Sequence, residues 1–147
     1  AWGWIHLMNV EDNDNGLTEP EEAAGDATGG DGEGELSQYL QFRIWDDWGA
    51  DDTPGTGDEG EGDNIWQDYE YVEFEGTAAE LASYYECEWI GPFELEACVT
   101  YYFGVAWWLP SDTGNIVQSD SFSFGIEFYV EQLINNPDPS PPAGDAT

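Results

Sequence analysis

Residues Ser121 to Gln132 read SFSFGIEFYVEQ, and this alternation settles the class of the fold. Every second position carries a large apolar side chain, and these positions are Phe122, Phe124, Ile126, Phe128 and Val130. Because the side chains of a β-strand point to its two faces in turn, a period of two predicts a strand. We expect one face of this strand to lie in the core and the other to face water.

The same period recurs in two shorter segments, which are also predicted to be strands. Their apolar positions are Leu40, Phe42 and Ile44 in the first and Val72 and Phe74 in the second. Two further segments, Trp2 to Val10 and Val99 to Leu109, are apolar at nearly every position. Such segments are typical of strands buried in the middle of a sandwich or covered by a neighbouring subunit. The only predicted helix is short and spans Thr77 to Tyr85.

Two tracts of different composition separate these segments, Glu11 to Glu35 and Asp46 to Asp63. Both are rich in Asp, Glu and Gly, and they contain Pro20 and Pro54. Residues of these types disfavour a regular strand or a long helix. The sequence therefore predicts two acidic surface loops.

Short strands joined by Gly- and Pro-rich connections, with almost no helix, predict an all-β fold. We expect an antiparallel two-sheet β-sandwich with long acidic loops, formed as a single domain by residues 1–134. Residues 135–147 contain four prolines and no candidate core residue. This segment is predicted to be an extended tail or linker.

The charge of the chain is extreme, because 33 Asp and Glu residues stand against a single basic side chain, Arg43, giving a formal net charge of -32. Repulsion of this size is screened in concentrated salt, where the Debye length falls to about 3 Å near 1 M. Hydrophobic residues make up 40% of the chain, which favours a folded halophilic domain over an acidic disordered tail. The same charge argues against nucleic acid and anionic membranes as partners.

Membrane insertion of this chain is not expected either, because no apolar run approaches the roughly 20 residues of a spanning helix.

Cys87 and Cys98 are the only cysteines, and they flank a Gly91-Pro92 turn between two apolar segments. We predict a disulfide that closes this hairpin, which would stabilise the fold by roughly 2 to 3 kcal/mol and would be typical of a protein outside the cell. The alternative is a pair of buried free thiols.

Catalytic motifs are not found in the sequence. The single histidine, His6, lies in an apolar segment and is interpreted as a packed residue rather than a general base. The chain carries no Gly-x-Ser-x-Gly elbow, phosphate loop or dinucleotide fingerprint. The sequence predicts no enzymatic activity.

Glu11 to Glu22 has the spacing of a twelve-residue calcium loop. In one register, the ligands are Glu11, Asn13, Asn15, the Leu17 carbonyl and Glu22, with Gly16 at the sharp turn. A shifted register uses Asp12, Asp14 and Glu19 instead. The alternative is a solvated acidic loop without metal. A weaker candidate consists of Asp46, Asp47, Asp63 and Asn64.

Four blocks of the sequence resemble haloarchaeal secreted proteins with SipW-type signal peptides, which are related to the TasA and camelysin fibre proteins. The blocks are NDNGLTEPE at 13–21, GELSQYL at 34–40 with Ile44 and Trp45, WWLP at 107–110 with Gly114 and Asn115, and QSDS at 118–121. The resemblance covers about Asn13 to Gln132.

This resemblance implies a jelly-roll-like β-sandwich that is exported to the cell surface and polymerises with copies of itself as a filament or matrix subunit. Some members of the wider family donate an amino-terminal strand to the next subunit. Here the donor is expected to be a segment outside this chain, Trp2 to Val10, or the Pro-rich tail.

A calcium-dependent carbohydrate-binding or adhesion module is the alternative function. Aromatic side chains stack on sugar rings, and the candidates are Trp45, Trp48, Trp107 and Trp108. These tryptophans could equally lie in the core or in a contact between subunits.

Overall fold

The computed structural model describes residues 1–85, 89–136 and 140–141. The strands in this part of the chain are β1 (Trp2–Asp14), β2 (Gln41–Asp46), β3 (Val72–Thr77), β4 (Ile90–Glu94), β5 (Phe103–Trp108) and β6 (Asp120–Glu131). The helices are α1 (Glu19–Ala24), α2 (Leu36–Tyr39) and α3 (Ala78–Tyr85), with a 3-10 turn at Asn115–Val117.

The strands form two three-stranded sheets, ordered β4-β1-β6 and β3-β2-β5, in which all neighbours are antiparallel. The all-β class predicted from the sequence is confirmed. The longest ladder joins β1 to β6, from Trp2 opposite Glu131 to Asp14 opposite Asp120. The register of this ladder shifts between Met8 and Glu11. The part of the ladder before the shift is apolar, and the part after it is acidic.

Side chains from both sheets meet in one hydrophobic core. Its buried members are Ile5, Leu7, Phe42, Ile44, Ala78, Leu81, Ile90 and Phe93. Leu81 is almost fully buried from α3, the predicted helix. Because a buried leucine truncated to alanine typically costs about 2 to 5 kcal/mol, this helix contributes substantially to stability.

The prediction of a loop over Glu11 to Glu35 is wrong at its beginning, and a short helix interrupts the rest of the tract. β1 continues to Asp14 because the chain keeps pairing with β6 beyond the bulge. Helix α1 then begins beside Pro20, where the missing N–H of proline costs nothing, and the Thr18 N–H donates a 2.6 Å hydrogen bond to Glu21 Oε2. Helix α2 starts immediately after Glu35.

The second acidic tract does form a loop, since it contains no helix or strand beyond Asp46. Both side-chain oxygens of Asp47 accept hydrogen bonds, from Gly62 N–H at 3.2 Å and from Asn64 N–H at 2.8 Å. Asp47 therefore closes this loop onto the end of β2.

Two predictions about burial within the chain hold only in part. Trp4 to Leu7 are buried on both faces as expected, but the segment from Val99 forms a strand only from Phe103, and Trp107 is exposed. On β6, Phe122 and Phe124 pack against the core, whereas the later apolar residues of the same face are exposed. Both β5 and β6 are sheet edges, so their inward faces are covered only where the opposite sheet reaches them.

Cys87 lies outside the described residues, as do residues 137–139 and 142–147 of the predicted tail. The predicted disulfide therefore stays a prediction. The described cysteine, Cys98, is exposed.

Candidate functional site

The β1–β6 ladder places three aspartates on one face of the first sheet. Asp12 and Asp14 are two residues apart on β1 and so point to the same side, and Asp120 is the cross-strand partner of Asp14. Phe122, the partner of Asp12, faces the core and lies with its ring centre 6.1 Å from that of Phe42. The three carboxylates therefore sit at the acidic end of the core-facing side.

Asp26 and Glu35 complete a group that we call the acidic cluster, defined as Asp12, Asp14, Asp26, Glu35 and Asp120. Asp26 follows helix α1, and Glu35 immediately precedes helix α2. Asp26, Asp120, Asp14 and Asp12 all act electrostatically on Glu35. The cluster therefore gathers side chains from four separate parts of the chain.

Backbone amides hold one oxygen of most of these carboxylates. Asp12 Oδ2 accepts from Ser37 N–H at 2.9 Å, and Asp120 Oδ2 accepts from the N–H groups of Glu35 at 2.7 Å and Leu36 at 2.9 Å. Asp14 Oδ1 accepts from Gly16 N–H at 2.6 Å, and Asp26 Oδ1 accepts from Thr28 N–H at 3.0 Å. These bonds fix the orientation of the carboxylates.

The opposite oxygens are buried and accept no hydrogen bond from the described residues. They are Asp12 Oδ1, Asp14 Oδ2, Asp26 Oδ2, Glu35 Oε2 and Asp120 Oδ1. Asp14 and Asp26 are the most enclosed, with exposed fractions of 4% and 7%. A buried polar atom without a partner is costly, and a buried charge is costlier still.

Burial, together with the charges of neighbouring carboxylates, raises the pKa of two members of the cluster. Burial raises the pKa of Glu35, and the charges of Asp26, Asp120, Asp14 and Asp12 raise it further. Burial also raises the pKa of Asp120, against the lowering effect of the two amides that it accepts from. Both carboxyls are therefore harder to ionise in the native state than in the unfolded chain.

Glu21 lies beside the cluster but is fully satisfied. Burial opposes its ionisation, but hydrogen bonds from the N–H groups of Ser119 (2.7 Å) and Thr18 (2.6 Å) outweigh burial and lower the pKa of Glu21 to about 2. The Ser119 hydroxyl also contacts Asp14 Oδ1 at 3.3 Å. Glu21 thus anchors α1 to the segment that leads into β6.

The residues predicted to form a calcium loop are not gathered into one. Glu11, Asp12, Asn13 and Asp14 belong to β1, and Asn15 donates to the Ser119 carbonyl and to the Ser121 hydroxyl. Glu19 and Glu22 are exposed on α1, and Leu17 is exposed as well. Of the predicted ligands, only Asp12 and Asp14 belong to the acidic cluster.

Three members of the cluster were not identified from the sequence: Asp26, Glu35 and Asp120. Loop spacing cannot find Asp120, because it reaches Asp14 only through the pairing of β1 with β6. The sequence signal that was available for the cluster is the pair Asp12 and Asp14, two carboxylates at alternate positions after an apolar strand.

Residues of the weaker candidate around Asp46 make hydrogen bonds that hold the second acidic loop. Asp47 closes the loop, and Asn64 Oδ1 accepts from Val105 N–H at 3.1 Å. Burial, together with the charges of Glu73 and Asp52, raises the pKa of Asp46 to about 7. Across the described residues, no three His, Cys, Asp or Glu side chains already stand in a metal-binding arrangement.

A second feature, which we call the open edge, consists of Ile126, Phe128 and Val130 on β6. Their exposed fractions are 48%, 67% and 57%. Ile126 and Phe128 are cross-strand partners of the core residues Leu7 and Ile5, so they point to the core-facing side. In the part of the chain that the structure describes, β6 pairs with β1 alone.

The second sheet has a matching edge. Trp107 on β5 is the partner of the buried Phe42, and it therefore also points toward the core side, yet it is 65% exposed. Its neighbour Trp108 points to the opposite face, where the Arg43 guanidinium lies 5.8 Å from its ring centre. Arg43 also lies 4.0 Å from the ring centre of Trp66 and pairs with Glu75 at 2.9 Å.

The tryptophans predicted as a sugar-stacking surface are divided among different environments. Trp45 is buried, and Trp48 packs edge-on against Tyr101 and Phe103. Trp107 and Trp108, as adjacent residues of a strand, face opposite sides of the sheet. The four rings therefore form no common platform.

Comparisons of this chain with protein-family models, with curated proteins and with solved structures return no match. None of the helices in residues 1–85 and 89–136 has the length and apolar character needed to cross a membrane.

Proposed function

We propose that this chain is a non-enzymatic structural subunit of an extracellular filament or surface matrix of a halophilic archaeon. In this proposal, the chain folds as a jelly-roll-like sandwich and the open edge of β6 is completed by an extended segment of a second copy. The observation that carries the proposal is the exposure of Ile126, Phe128 and Val130 on the core-facing side of an edge strand.

The free edge of β6 is long enough to accept another strand. β6 has 12 residues, so a long row of its backbone N–H and C=O groups can pair with an added strand. Main-chain hydrogen bonds would supply affinity, and the exposed side chains would supply contacts for alternate residues of the incoming strand. Natural edges of this length usually carry charged or bulged positions that block pairing. Here Glu127 is exposed on one face, whereas the core-facing side of the edge is apolar at Ile126, Phe128 and Val130.

A second copy suits this edge because the edge is apolar and because the charge repulsion between two copies is screened in high salt. Both copies carry a net charge of -32, so they repel each other until salt screens the charge. Apolar and main-chain contacts are insensitive to such screening, and assembly is therefore favoured by high salt. The resemblance to fibre-forming secreted proteins supports the same occupant.

The position of β1 bears on which segment is donated. Trp2 to Val10 lies between β4 and β6 within its own sheet, and Trp4, Ile5 and Leu7 are buried there. In this arrangement β1 already belongs to its own subunit. We therefore favour a donor segment outside this chain, because the Pro-rich tail has four prolines that lack a backbone N–H and no candidate core residue to meet the open edge.

The test compares purified protein in 3 M and 0.3 M NaCl by sedimentation velocity and electron microscopy. We expect concentration-dependent fibres or oligomers of the wild type at high salt, and monomers of the double variant Phe128→Ser/Val130→Ser. Serine removes the apolar surface without adding charge. Ile65→Ser is the matched control, because Ile65 is 65% exposed but lies outside every strand.

Circular dichroism at high salt checks that each variant is folded. A wild type that stays monomeric at every concentration, or a double variant that assembles as the wild type does, would refute the proposal. A monomer that binds glycans, with affinity lost in Trp107→Ala, would instead support the alternative of a calcium-dependent adhesion module.

A further inference from the structure

We propose that the acidic cluster is a calcium site, with Asp12, Asp14, Asp26, Glu35 and Asp120 as its side-chain ligands. This set differs from the Glu11 to Glu22 loop, because it is assembled by the β1–β6 ladder and by the ends of α1 and α2. Calcium binding at this cluster does not depend on filament formation.

The carboxylate oxygens of the cluster are only half satisfied. Each of the five side chains directs one buried oxygen away from any donor in the described residues. Asp14 and Asp26 are more than nine-tenths buried, and both lie close enough to raise the pKa of Glu35. A cation bound between these oxygens would replace the missing donors and remove the repulsion.

The protein's own cations are engaged elsewhere. Arg43 is the only Lys or Arg of the chain, and it is engaged with Glu75 on the other sheet. The amino terminus donates to the Leu95 carbonyl at 2.7 Å. His6 stacks on Trp89, with the ring centres 4.7 Å apart, in the apolar half of the ladder. Neutralisation of the cluster at pH 7 must therefore come from bound protons or from an added cation.

The geometry of the carboxylates suits a bound cation. Backbone amides donate to one side-chain oxygen of Asp12, Asp14, Asp26 and Asp120 and so fix the orientation of each group. The other oxygen of each accepts no hydrogen bond from a donor in the described residues. That oxygen is available to coordinate a cation.

The loop that covers the cluster has glycine where the backbone comes closest to the carboxylates. A Cβ added to Gly34 would lie 2.6 Å from Asp12 Oδ1, and one added to Gly29 would lie 3.3 Å from Asp14 Oδ2. Glycine at these positions therefore permits the close approach. An adjacent cavity of about 600 Å³, lined by Asp12, Ser37 and Phe122 among others, gives an ion access from solvent.

The donor set selects calcium among the common divalent ions. Five carboxylates supply only hard oxygen ligands, whereas zinc prefers nitrogen and sulfur. Calcium accepts about 6 to 8 oxygens in flexible geometry, while magnesium keeps most of its water and is held by one or two carboxylates. The side chains are not yet closed into a coordination shell, so binding must draw the carboxylates of the cluster together.

The experiment measures thermal unfolding and calorimetric titration in 3 M NaCl, after removal of metals with a chelator. We expect one saturable calcium site and a rise in Tm with calcium, and a much smaller rise with magnesium at the same concentration. The double variant Asp14→Asn/Asp120→Asn should lower calcium affinity at least tenfold. Asn keeps the shape and the acceptor oxygen that the backbone amides use.

Two controls distinguish calcium binding at the cluster from binding at the Glu11 to Glu22 loop and from a purely structural role of the aspartates. Glu11→Gln/Glu22→Gln removes the same charge from that loop, and it should leave the calcium response unchanged. In chelator, Asp14→Asn/Asp120→Asn should unfold at a higher temperature than the wild type, because repulsion has been removed. A purely structural role would lower Tm under both conditions.

The proposal fails if the chelated wild type shows no calcium-dependent shift, or if the shift persists in Asp14→Asn/Asp120→Asn. It also fails if Glu11→Gln/Glu22→Gln abolishes the shift, since the ligands would then lie in the loop. The same titration on the assembly variant Phe128→Ser/Val130→Ser should give an unchanged affinity, which keeps this test independent of the proposed function.

Discussion

Ile5 and Phe128 are direct cross-strand partners on the same face of one sheet, yet Ile5 is 8% exposed and Phe128 is 67% exposed. The two strands differ in position, because β1 is the central strand of its sheet and β6 is an edge. Three-stranded sheets leave the inward face of an edge uncovered wherever the opposite sheet ends. This pair shows how sharply burial changes between a central strand and an edge, and Phe128 belongs to the proposed contact between copies.

Gly104 is required by the Trp45 ring. The two residues are cross-strand partners, and a Cβ on Gly104 would overlap the indole of Trp45, which is itself almost fully buried. We expect Gly104→Ala to lower the free energy of unfolding by about 1 to 3 kcal/mol through overpacking. Denaturant unfolding at high salt measures this.

Gly114→Ala is the control for that variant, because its Cβ would meet nothing within 4 Å. Its effect should stay within about 0.5 kcal/mol. Equal losses from both substitutions would contradict the packing argument.

Asp46 should make stability depend on pH near neutrality. Its pKa is raised to about 7 by burial, by Glu73 and by Asp52, so between the unfolded value of 3.8 and about 7 the native state binds more protons than the unfolded chain. The contribution of Asp46 therefore favours folding below pH 4 and is lost as pH rises to about 7. Asp46→Asn should raise Tm at pH 8 and have much less effect at pH 4.

Asp51→Asn removes a charge from the exposed loop and serves as the comparison for Asp46→Asn. If both variants respond identically to pH, general charge reduction is the cause and the local account of Asp46 is wrong.

Glu21 should show the opposite dependence. Its pKa is lowered to about 2, so its contribution to stability is complete above about pH 4.5 and disappears as pH falls toward 2. Glu21→Gln should therefore destabilise the protein at pH 7, and the difference from wild type should shrink under acid. Thermal unfolding across this range measures it, and a constant difference at all pH values would contradict the assignment.

Removing salt should destabilise the whole fold, since 33 acidic residues repel one another over a longer Debye length. We expect Tm to fall steadily as NaCl is lowered from 3 M. Sucrose at matched water activity is the control. Like salt, it favours the folded state through its exclusion from the protein surface, but it does not screen charge. Full recovery of Tm in sucrose would show that screening is not the cause.

The sequence was informative wherever local pattern decides structure. Period-two alternation identified β6, β2 and β3, and the short apolar segment before Tyr85 identified α3. Burial along β6 was mispredicted beyond Phe124, because the width of the opposite sheet is not encoded in the strand itself. Pattern gives the face of a residue but not whether another layer covers it.

The acidic tract shows the same limit for the candidate site. Loop spacing pointed to Asp12 and Asp14, but it assigned them to a turn, whereas pairing with β6 holds them in a strand. Asp26, Glu35 and Asp120 join them through tertiary contacts that no local spacing reveals. Carboxylates are so common in this chain that their presence alone could not single these out.

The antiparallel ladder of β1 and β6 also has a mechanical consequence. Because Trp2 lies opposite Glu131, the beginning of one strand and the end of the other are at the same end of the sheet. Tension applied between these two ends would peel the backbone hydrogen bonds apart one pair at a time. Tension applied between the beginnings of the two strands, at opposite ends of the ladder, would load all of those bonds together. The resistance of this protein to pulling is therefore set by the points at which force is applied to it.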